Sequence, residues 1–572
     1  MDALKAIEQD APAPFNDDQK TYLNGFFSGV RQRAVVFADL FPSGIPQETE
    51  EPEESAVLIP EERIKKEEHP LDSYYRILEN ARGDKAPDKE DIFRFKWNGL
   101  FFLSPIKDSF MARLRIPGGQ LKSFQLREIA RVADELTSGY VQITTRANFQ
   151  IRLIKPKDAP EVLRRIQSVG LHTRGSGADN IRNITCGPTA GVDPVELFDC
   201  SSFVHDLAAI LISQREFYDL PRKFNISFDG GGLVSTVEDT NDIGVKAVKH
   251  GDGIGFRFAL GGATGHKAFA GDLGIVVPAG KVVGVTLAIV RVFIERGNRG
   301  NRKKARLKHL LETMTMEEYL LETEKRLGAP IERLSLDATP LHWPSAELPH
   351  SHIGAYPQKQ AGLHYLGITI PVGQISPKQM LRLADLAENY GSGDIRLTVW
   401  QNLIIPNISS AYLETVKKAV EKMGFASKQS HIAGGVVACT GNRYCKFAAA
   451  DTKGHAIALT KYLEKKLDLD QPVNIHLTGC PHSCAQHYMG DIGLLGTKTA
   501  DGGEAYHVFV GGGFGANQAC GRQVFAAMAF EELKTTIEKM LRIWMVKREN
   551  HESFQSFTTR HDLNSLQVLF CE

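Results

Sequence analysis

Long apolar runs, net charge and cysteine are all scarce in this 572-residue sequence. No stretch of about 18 consecutive apolar residues occurs, which argues against a membrane-spanning helix. Lys and Arg total 68 and Asp and Glu total 68, so nothing indicates a basic nucleic-acid-binding or membrane-binding surface. Eight cysteines are too few for a disulfide scaffold, and the first residues lack the basic-then-apolar pattern of a signal peptide. We therefore expect a cytoplasmic protein with no nucleic-acid partner and no membrane insertion.

Two Pro-rich stretches divide the chain. Residues 1–88 are predicted to be an N-terminal extension, with one short amphipathic helix over 16–30. The Pro- and Glu-rich stretch 46–70 is too polar to bury much apolar area, so we expect the extension to be partly disordered or to wrap the surface. Five prolines between 330 and 357 indicate a long connection between two halves.

The two halves repeat each other. IPGGQ at 116–120 recurs as IPVGQ at 370–374, an offset of 254 residues, and helical apolar spacing over 126–136 recurs over 380–390. Alternating apolar residues predict a strand over 141–151 and its counterpart over 395–405. Further on, NISFDG faces NIHLTG and NDIG faces GDIG, both at an offset of 249. The pattern predicts an internally duplicated α+β protein with pseudo-two-fold symmetry and a site where the halves meet.

Four cysteines lie in two short pairs in the second half only. The spacing is C-x5-C, then 34 residues, then C-x3-C. Four thiolates in such pairs suit an iron–sulfur cluster. Structural zinc prefers more closely spaced cysteine pairs, so the x5 spacing fits a zinc site poorly. The remaining alternative is four buried free thiols with no metal. These candidate metal ligands are Cys439, Cys445, Cys480 and Cys484.

Cations mark the first half in the same way. Arg113, Arg146, Arg182 and Lys223 align in the second copy with Gly367, Trp400, Val436 and Pro472. A lone Arg is usually solvated or ion-paired, whereas a set confined to one copy points to an anionic ligand, because Arg binds carboxylates through its planar fork. A third basic stretch, 296–309, is either a solvated helix face or brings Arg299 and Arg302 to the same polycarboxylate.

At this point the motifs match a known family. MARLRIPGG, TTRANFQIR, IRNITCG, LPRKFN, RGNRKKAR, CTGNRYC and TGCPHSC resemble the sirohaem- and [4Fe–4S]-containing nitrite and sulfite reductases, over about residues 90–572. The resemblance implies a three-domain sirohaem reductase architecture. Duplicated ferredoxin-like units of the parachute type would span 89–174 and 340–428. A first sirohaem-binding domain with the linker would span 175–339, and a cluster-carrying domain 429–572.

The resemblance also implies residue roles. The four cysteines would ligate a [4Fe–4S] cluster, and Cys484 would bridge the cluster and the sirohaem iron through its sulfur. Arg113, Arg182 and Lys223 would bind the substrate anion, and further side chains would mainly hold the sirohaem carboxylates, namely Arg146, Gln150 and Arg222. The implied reaction is a six-electron reduction, of nitrite to ammonium or of sulfite to sulfide.

Asn225 separates the two substrates in this family. Sulfite reductases typically read Lys-x-Lys where this chain has Lys223-Phe224-Asn225. A second Lys suits the more highly charged sulfite and is less needed for a monoanion. The sequence therefore favours nitrite, with assimilatory sulfite reduction as the alternative.

Two other kinds of protein can carry the same cysteine pattern. A pure iron–sulfur electron carrier would need no anion pocket, and a corrin-pathway oxygenase is usually shorter. No flavin or NAD(P) domain is recognisable, so we expect electrons from another protein: a ferredoxin, or a flavoprotein reductase as the second choice.

The cysteine assignment predicts contrasting effects of two substitutions. Cys480→Ser should abolish cluster assembly and activity, because a neutral hydroxyl is a poor ligand in a thiolate site. Cys186→Ser should leave the cluster in place. Iron and acid-labile sulfide per chain measure both, and a Cys186→Ser protein without cluster would mean that the four ligands are wrongly chosen.

Overall fold

The structure is a computed structural model that describes residues 58–102, 106, 108–137, 139–341, 343, 352–428 and 430–571. The helix expected over 16–30 lies outside these residues. Within the described part of the chain, no helix combines the length and the apolar content that a membrane span requires.

The described residues contain twenty strands in four five-stranded sheets, named here sheets 1 to 4. In spatial order, sheet 1 contains Leu100–Phe102, Phe110–Arg113, Phe149–Ile154, Val141–Ile143 and Gln374–Ile375, and sheet 2 contains Gly354–Pro357, Leu363–Ile368, Leu403–Ser409, Asp394–Leu397 and Gln120–Lys122. Sheet 3 contains Gly271–Pro278, Gly253–Leu260, Ile243–His250, Ile226–Asp229 and Thr185–Cys186, and sheet 4 contains Val436–Ala438, Ile475–Thr478, Ile492–Lys498, Glu504–Val510 and Arg522–Ala529.

The α-helices cover these sheets. They span Pro60–Glu67, Tyr74–Gly83, Asp91–Arg94, Ser123–Leu136, Ala159–Ser168, Ser201–Ser213, Val282–Arg296, Leu307–Leu310, Met316–Leu327, Pro377–Tyr390, Leu413–Lys422, Thr452–Lys466, Phe530–Lys547, Phe554–Arg560 and Leu563–Cys571. The two helices predicted from apolar spacing, Ser123–Leu136 and Pro377–Tyr390, are confirmed.

Sheets 1 and 2 exchange one strand each. Gln120–Lys122 of the first half pairs with Asp394–Leu397 in sheet 2, and Gln374–Ile375 of the second half pairs with Val141–Ile143 in sheet 1. One apolar cluster fills both units, since it includes Leu126 and Ile129 as well as Met380 and Leu383. The exchange makes the two ferredoxin-like units one body and realises the pseudo-two-fold symmetry that the repeat predicts.

Sheets 3 and 4 have the same topology and separate cores. In each, the first three strands along the chain run parallel and the last two continue antiparallel. Sheet 3 has its own apolar cluster, which contains Phe228 and Val285, and sheet 4 another, which contains Ile475 and Leu541. Together with the shared cluster of sheets 1 and 2, the described residues thus form three large apolar cores, beside two small clusters.

The single strand predicted over 141–151 is wrong. Val141–Ile143 and Phe149–Ile154 form an antiparallel hairpin in which Val141 faces Ile151. The turn between them holds Ala147 at φ 48°, and the Thr144 hydroxyl accepts the Arg146 N–H. Arg146 thus lies in a tight turn and not on the polar face of a strand. The sequence pattern does not reveal this turn, because the apolar alternation of the strands continues through it.

The described part of the extension, from residue 58 onward, packs against the first half. In helix Pro60–Glu67, Ile64 and Lys65 are buried. Lys65 pairs with Glu62 at 2.5 Å and donates to the carbonyl of Leu220 at 2.9 Å. The ammonium of Lys65 thus ties this helix to the first half.

The strand exchange predicts a specific glycine requirement. A Cβ at Gly373 (φ 69°) would lie 2.5 Å from the Ile143 carbonyl oxygen of the other half, and its symmetry mate Gly119 meets Leu397 in the same way. Gly373→Ala should therefore lower the free energy of unfolding, measured by chemical or thermal denaturation, by more than the roughly 1–2 kcal/mol that a left-handed alanine costs.

Gly424→Ala is the matched control, because Gly424 has φ 83° with no atom within 4 Å of its Cβ position. It carries the backbone strain without the collision. Equal losses of stability in the two variants would contradict a close approach of the halves at Gly373.

Candidate functional site

The four cysteines predicted as ligands lie in loops that follow adjacent parallel strands. Val436–Ala438 and Ile475–Thr478 pair in parallel, so their carboxyl ends meet at one edge of sheet 4. Cys439 directly follows the first strand, and its N–H donates to the carbonyl of Leu477 at 3.0 Å. The Gly479 N–H in turn donates to Cys439 Sγ at 3.2 Å. The strand order thus gathers the two cysteine pairs.

The thiols act on one another electrostatically. The pKa of Cys484 is raised to about 12, chiefly by burial and then by the charge of Cys439, with Cys480 and Cys445 adding to it. Burial, followed by Cys445 and Cys439, also raises the pKa of Cys480. All four sulfurs therefore belong to one set. No group of three or more His, Cys, Asp or Glu among the described residues is arranged for a single metal ion.

Three of the predicted anion-binding cations are depressed in pKa by burial. The pKa of Arg113 falls to about 10 and that of Lys223 to about 7, and the pKa of Arg182 is lowered well below its usual range. After burial, the next largest cause that lowers each pKa is the charge of another cation, which is Arg306 for Lys223 and Arg113 for Arg182. Positive charge is therefore concentrated here.

Cations of the first half and thiols of the second meet at the boundary between the halves, and the place where Arg113, Arg182 and Lys223 lie near Cys484 is named here the recess. Cys484 is exposed and Lys223 is half-buried, so solvent reaches both. The Lys223 ammonium opposes the rise in the pKa of Cys484, and the Cys484 thiol opposes the fall in the pKa of Lys223. The Thr145 hydroxyl donates to the carbonyl of Cys484 at 3.1 Å, which joins the halves beside it.

Two buried polar atoms at this recess lack a hydrogen-bond partner. They are Nη1 of Arg182 and Oδ1 of Asn225. The backbone N–H of Asn225 donates to Asp242 Oδ2 at 2.8 Å, which fixes the residue without using its side chain. Unused donors and acceptors of this kind are what a polar ligand would satisfy.

Arg146 and Gln150, predicted to hold a polycarboxylate, are engaged by protein groups. Arg146 donates to the carbonyl of Asn183 at 2.7 Å and to Asn241 Oδ1 at 2.6 Å. Gln150 Oε1 accepts from Arg152 at 2.6 Å. Their predicted role stays a prediction.

The other predicted cofactor-binding arginines meet carboxylates. Asp179, fully buried, accepts two hydrogen bonds of 2.8 Å from Arg302, and Arg222 lies 3.5 Å from it. Arg299 pairs with Glu62 at 2.8 Å and with Asp219 at 3.0 Å. Arg299 and Arg302 of the stretch 296–309 are therefore ion-paired, and their predicted role toward a polycarboxylate stays a prediction.

Sequence reasoning missed Arg306 and Asp242. Arg306 donates to both oxygens of Asp242, at 2.9 and 2.8 Å, and Asp242 receives the Asn225 N–H. The second half repeats this contact without the arginine: the Asn474 N–H donates to Asp491 at 2.7 Å, and burial raises the pKa of Asp491 to about 7. The NDIG and GDIG motifs held the signal, since they carry these two aspartates.

Arg152 and Lys453 were also missed, and they lie beside the thiols. Arg152 donates to Thr440 Oγ1 at 2.9 Å, and Lys453 donates to the carbonyl of Ala438 at 3.2 Å. Burial is the largest cause that lowers the pKa of each, and the charge of Cys439 opposes it. Arg152 lies within the TTRANFQIR motif, so the sequence shows the residue but does not show that it lies beside the thiols.

The residues of this recess fit an iron–sulfur cluster and an anionic macrocycle. Four mutually interacting thiols, an N–H directed at one sulfur and adjacent cations would stabilise a negatively charged thiolate set. On the other wall, Arg113, Arg182 and Lys223 offer positive charge, and Arg182 offers an unused N–H. This fit of the residues to the two groups rests on the kinds of ligand atoms and hydrogen-bond donors present and on their charge.

Two family models match the chain. The nitrite and sulphite reductase 4Fe-4S domain matches residues 177–331 and 433–566. The nitrite/sulfite reductase ferredoxin-like half domain matches residues 105–169 and 356–423. Each model matches twice, as the internal duplication requires.

Individual proteins give the same result. The chain is 38% identical over 462 residues to a ferredoxin–nitrite reductase of Synechococcus elongatus, covering 78% of this chain and 88% of that one. It is 32% identical over 544 residues to sulfite reductase [ferredoxin] 2 of Mycolicibacterium paratuberculosis, covering 89% and 96%. The solved structure of the Mycobacterium tuberculosis NirA protein superposes with a TM-score of 0.83 at 30% identity, covering 89% of this chain and 97% of that one. The duplicated α+β fold, the clustered cysteines and these matches together show that the chain is an oxidoreductase of the nitrite and sulfite reductase family.

Proposed function

We propose that this protein reduces nitrite to ammonium with six electrons. Cys439, Cys445, Cys480 and Cys484 would hold a [4Fe–4S] cluster, and the cations of the first half would face a sirohaem in the recess. The cluster would supply electrons one at a time, and the sirohaem would supply a metal centre for the substrate anion. Cys484 would be the ligand that both cofactors share.

The observation that carries this proposal is the mutual effect of Lys223 and Cys484. One residue comes from the cation set of the first half and the other from the thiol set of the second, yet each shifts the pKa of the other. An electron source and an anion-binding wall therefore belong to one recess. A pure electron carrier has no use for the cations, which counts against that alternative.

The chain's own residues bind the anion and deliver protons. Arg113 and Arg182 stay charged and orient a small anion through their N–H groups. A lysine whose pKa is about 7 is well matched to proton donation near neutral pH, because it is partly protonated and releases its proton readily. Lys223 is thus the residue proposed to protonate the departing oxygen.

Asn225 supports nitrite over sulfite. Phe224 is fully buried between half-buried Lys223 and Asn225, so the alternation that puts positions 223 and 225 on one face holds. The neutral Asn225 side chain, with its unpartnered Oδ1, adds a polar contact without a second positive charge. Sulfite reduction is the second candidate, and similarity to a sulfite reductase supports it.

A ferredoxin is the proposed electron donor. Several relatives carry ferredoxin in their names, including the nitrite reductases of Synechococcus elongatus and Leptolyngbya laminosa. The four-thiol set provides the entry point for single electrons. A flavoprotein reductase is the second choice.

Lys223→Ala and Arg182→Ala should each retain sirohaem and lose most turnover. Each substitution removes a cation that stabilises the anion and the charge developing on its leaving oxygen, at a cost of roughly 2–4 kcal/mol in the activation free energy. Steady-state kcat/KM for nitrite, together with the optical spectrum of the bound sirohaem, measures both parts. Normal nitrite and sulfite kinetics in both variants would remove these residues from the active site.

The pH dependence of kcat/KM distinguishes proton donation by Lys223 from simple electrostatic attraction of the substrate anion. A lysine is charged below its pKa, so kcat/KM for nitrite should fall as pH rises through about 7 in the parent protein. Lys223→Arg keeps its charge at higher pH and should flatten that fall while lowering the maximal rate. An unchanged profile in Lys223→Arg would show that Lys223 does not govern the alkaline limb.

Asn225→Lys should shift preference toward sulfite. A second ammonium beside Lys223 raises the local positive potential, which favours the more highly charged anion. It should also lower the pKa of Lys223 further by like-charge repulsion. We expect the sulfite-to-nitrite ratio of kcat/KM to rise about tenfold, or roughly 1.4 kcal/mol.

Asn225→Gln is the matched control, because it changes size without adding charge. Both substrates are assayed with one artificial one-electron donor, so that docking of a protein partner does not enter. A parent that already prefers sulfite, or an unmoved ratio in Asn225→Lys, would refute Asn225 as the discriminator and weaken the assignment to nitrite.

A further inference from the structure

Arg152 is a buried cation whose hydrogen bonds all go to neutral groups. Its side chain is among the largest fully buried in the described part of the chain. Nε donates to Gln142 Oε1 at 2.8 Å, and Nη2 donates to Gln150 Oε1 at 2.6 Å and to Thr440 Oγ1 at 2.9 Å. The guanidinium also lies 5.2 Å from the ring centroid of Tyr444. None of these partners carries a negative charge at neutral pH.

Lys453 repeats the arrangement on the other side of Cys439. It is 4% exposed, and Nζ donates to the carbonyls of Val372 and Ala438. Ala438 precedes Cys439 and Thr440 follows it, so the two cations bracket one thiol through its chain neighbours. No ion pair to a carboxylate is formed by Arg152 or Lys453 within the described residues.

An unpaired buried cation is costly, so its counter-charge has to be sought nearby. The groups that favour the charged form of Arg152 are Tyr140 and Tyr444, followed by the thiols of Cys445 and Cys439. For Lys453 they are the thiol of Cys439, which is the largest, and the carboxylate of Asp451. A thiolate set at this place would offset the burial of both cations.

Arg115 is a second buried arginine with neutral partners. It donates to the carbonyls of Arg174, Gly175, Ile181 and Arg182, which lie in one backbone segment of its own half. Neutral partners alone therefore do not single out Arg152. What distinguishes Arg152 is its reach from sheet 1 into the cysteine loop of the other half, beside the thiols.

The duplication indicates that both cations are linked to the presence of the four cysteines. At the offset of 254, Arg152 aligns with Pro406, and when helix Thr452–Lys466 is superposed on Ser201–Ser213 by its first residue, Lys453 aligns with Ser202. The duplicated positions, in surroundings without the four cysteines, carry no charge. The charges are therefore not part of the shared framework.

We propose that Arg152 and Lys453 form a fixed positive pair that raises the reduction potential of the thiol-bound cluster. Each reduction adds one electron from the external one-electron donor to the cluster; no bond forms or breaks and no proton moves. The reduced state is one charge more negative, so a buried positive charge stabilises it more than the oxidised state. Arg152 and Lys453 act through the cluster and are positioning residues. The inference rests on the proposed [4Fe–4S] site.

The test is a redox titration of the holoenzyme followed by EPR, with iron and acid-labile sulfide measured in every sample. Arg152→Gln and Lys453→Met should each shift the cluster midpoint to lower potential at unchanged iron and sulfide per chain. Arg152→Lys, which keeps the charge, should lie closer to the parent than Arg152→Gln does.

Arg443→Gln is the control for a charge on the same loop. The Arg443 side chain is 68% exposed and pairs with Asp451, so water and its partner screen it, and the potential should stay near that of the parent. A parent protein without iron and sulfide would refute the proposed function itself.

With the cluster present, midpoints of Arg152→Gln and Lys453→Met that equal the parent value would overturn the inference alone. If both variants lose sulfide, retention of sulfide in Arg152→Lys supports a requirement for charge. Loss in all three variants would instead assign these residues a purely structural role and overturn the inference.

Discussion

The convergence of first-half cations and second-half thiols on one place is the constraint on which the site depends. Burial alone disfavours the charged forms of Lys223 and Cys484, as the directions of their pKa shifts record. Placed together, each favours the charged form of the other. Arg152 and Lys453 lie beside the same thiols, and neither forms an ion pair with a carboxylate among the described residues. Positive charge on both sides makes this edge of sheet 4 a suitable place for a negatively charged group.

The symmetric frame holds this asymmetric charge pattern in place. The exchanged strands tie sheets 1 and 2 into one core, so the hairpin that carries Arg146 and Arg152 is anchored against the second half. The aspartates of the NDIG and GDIG motifs illustrate how the copies diverged. Both accept the N–H of an asparagine, but only Asp242 is paired with an arginine, Arg306, beside Lys223. One copy therefore provides the anion-binding wall and the other the thiols.

Much of this could be predicted from the sequence, and the failures share a cause. The repeat, the two long helices and the cysteine set are visible because their signals are local or periodic. The hairpin at 144–148 was missed because its turn preserves the alternation of a strand. The pairing of Arg299 with Glu62 and the reach of Arg152 to Thr440 join residues hundreds of positions apart, and no local pattern encodes such contacts. The contacts of helix Pro60–Glu67 with Leu220 and Arg299 are long-range in the same way.

The most direct test of the account is the EPR spectrum of the purified protein during stepwise reduction, recorded with and without nitrite. If cations, thiols and both cofactors share one recess, nitrite will perturb the sirohaem signal. Reduction of the cluster will then alter that same signal, as the proposed role of Cys484 toward both cofactors requires. Two cofactor signals that titrate independently, or a haem signal that nitrite leaves unchanged, would contradict a single site formed between the halves.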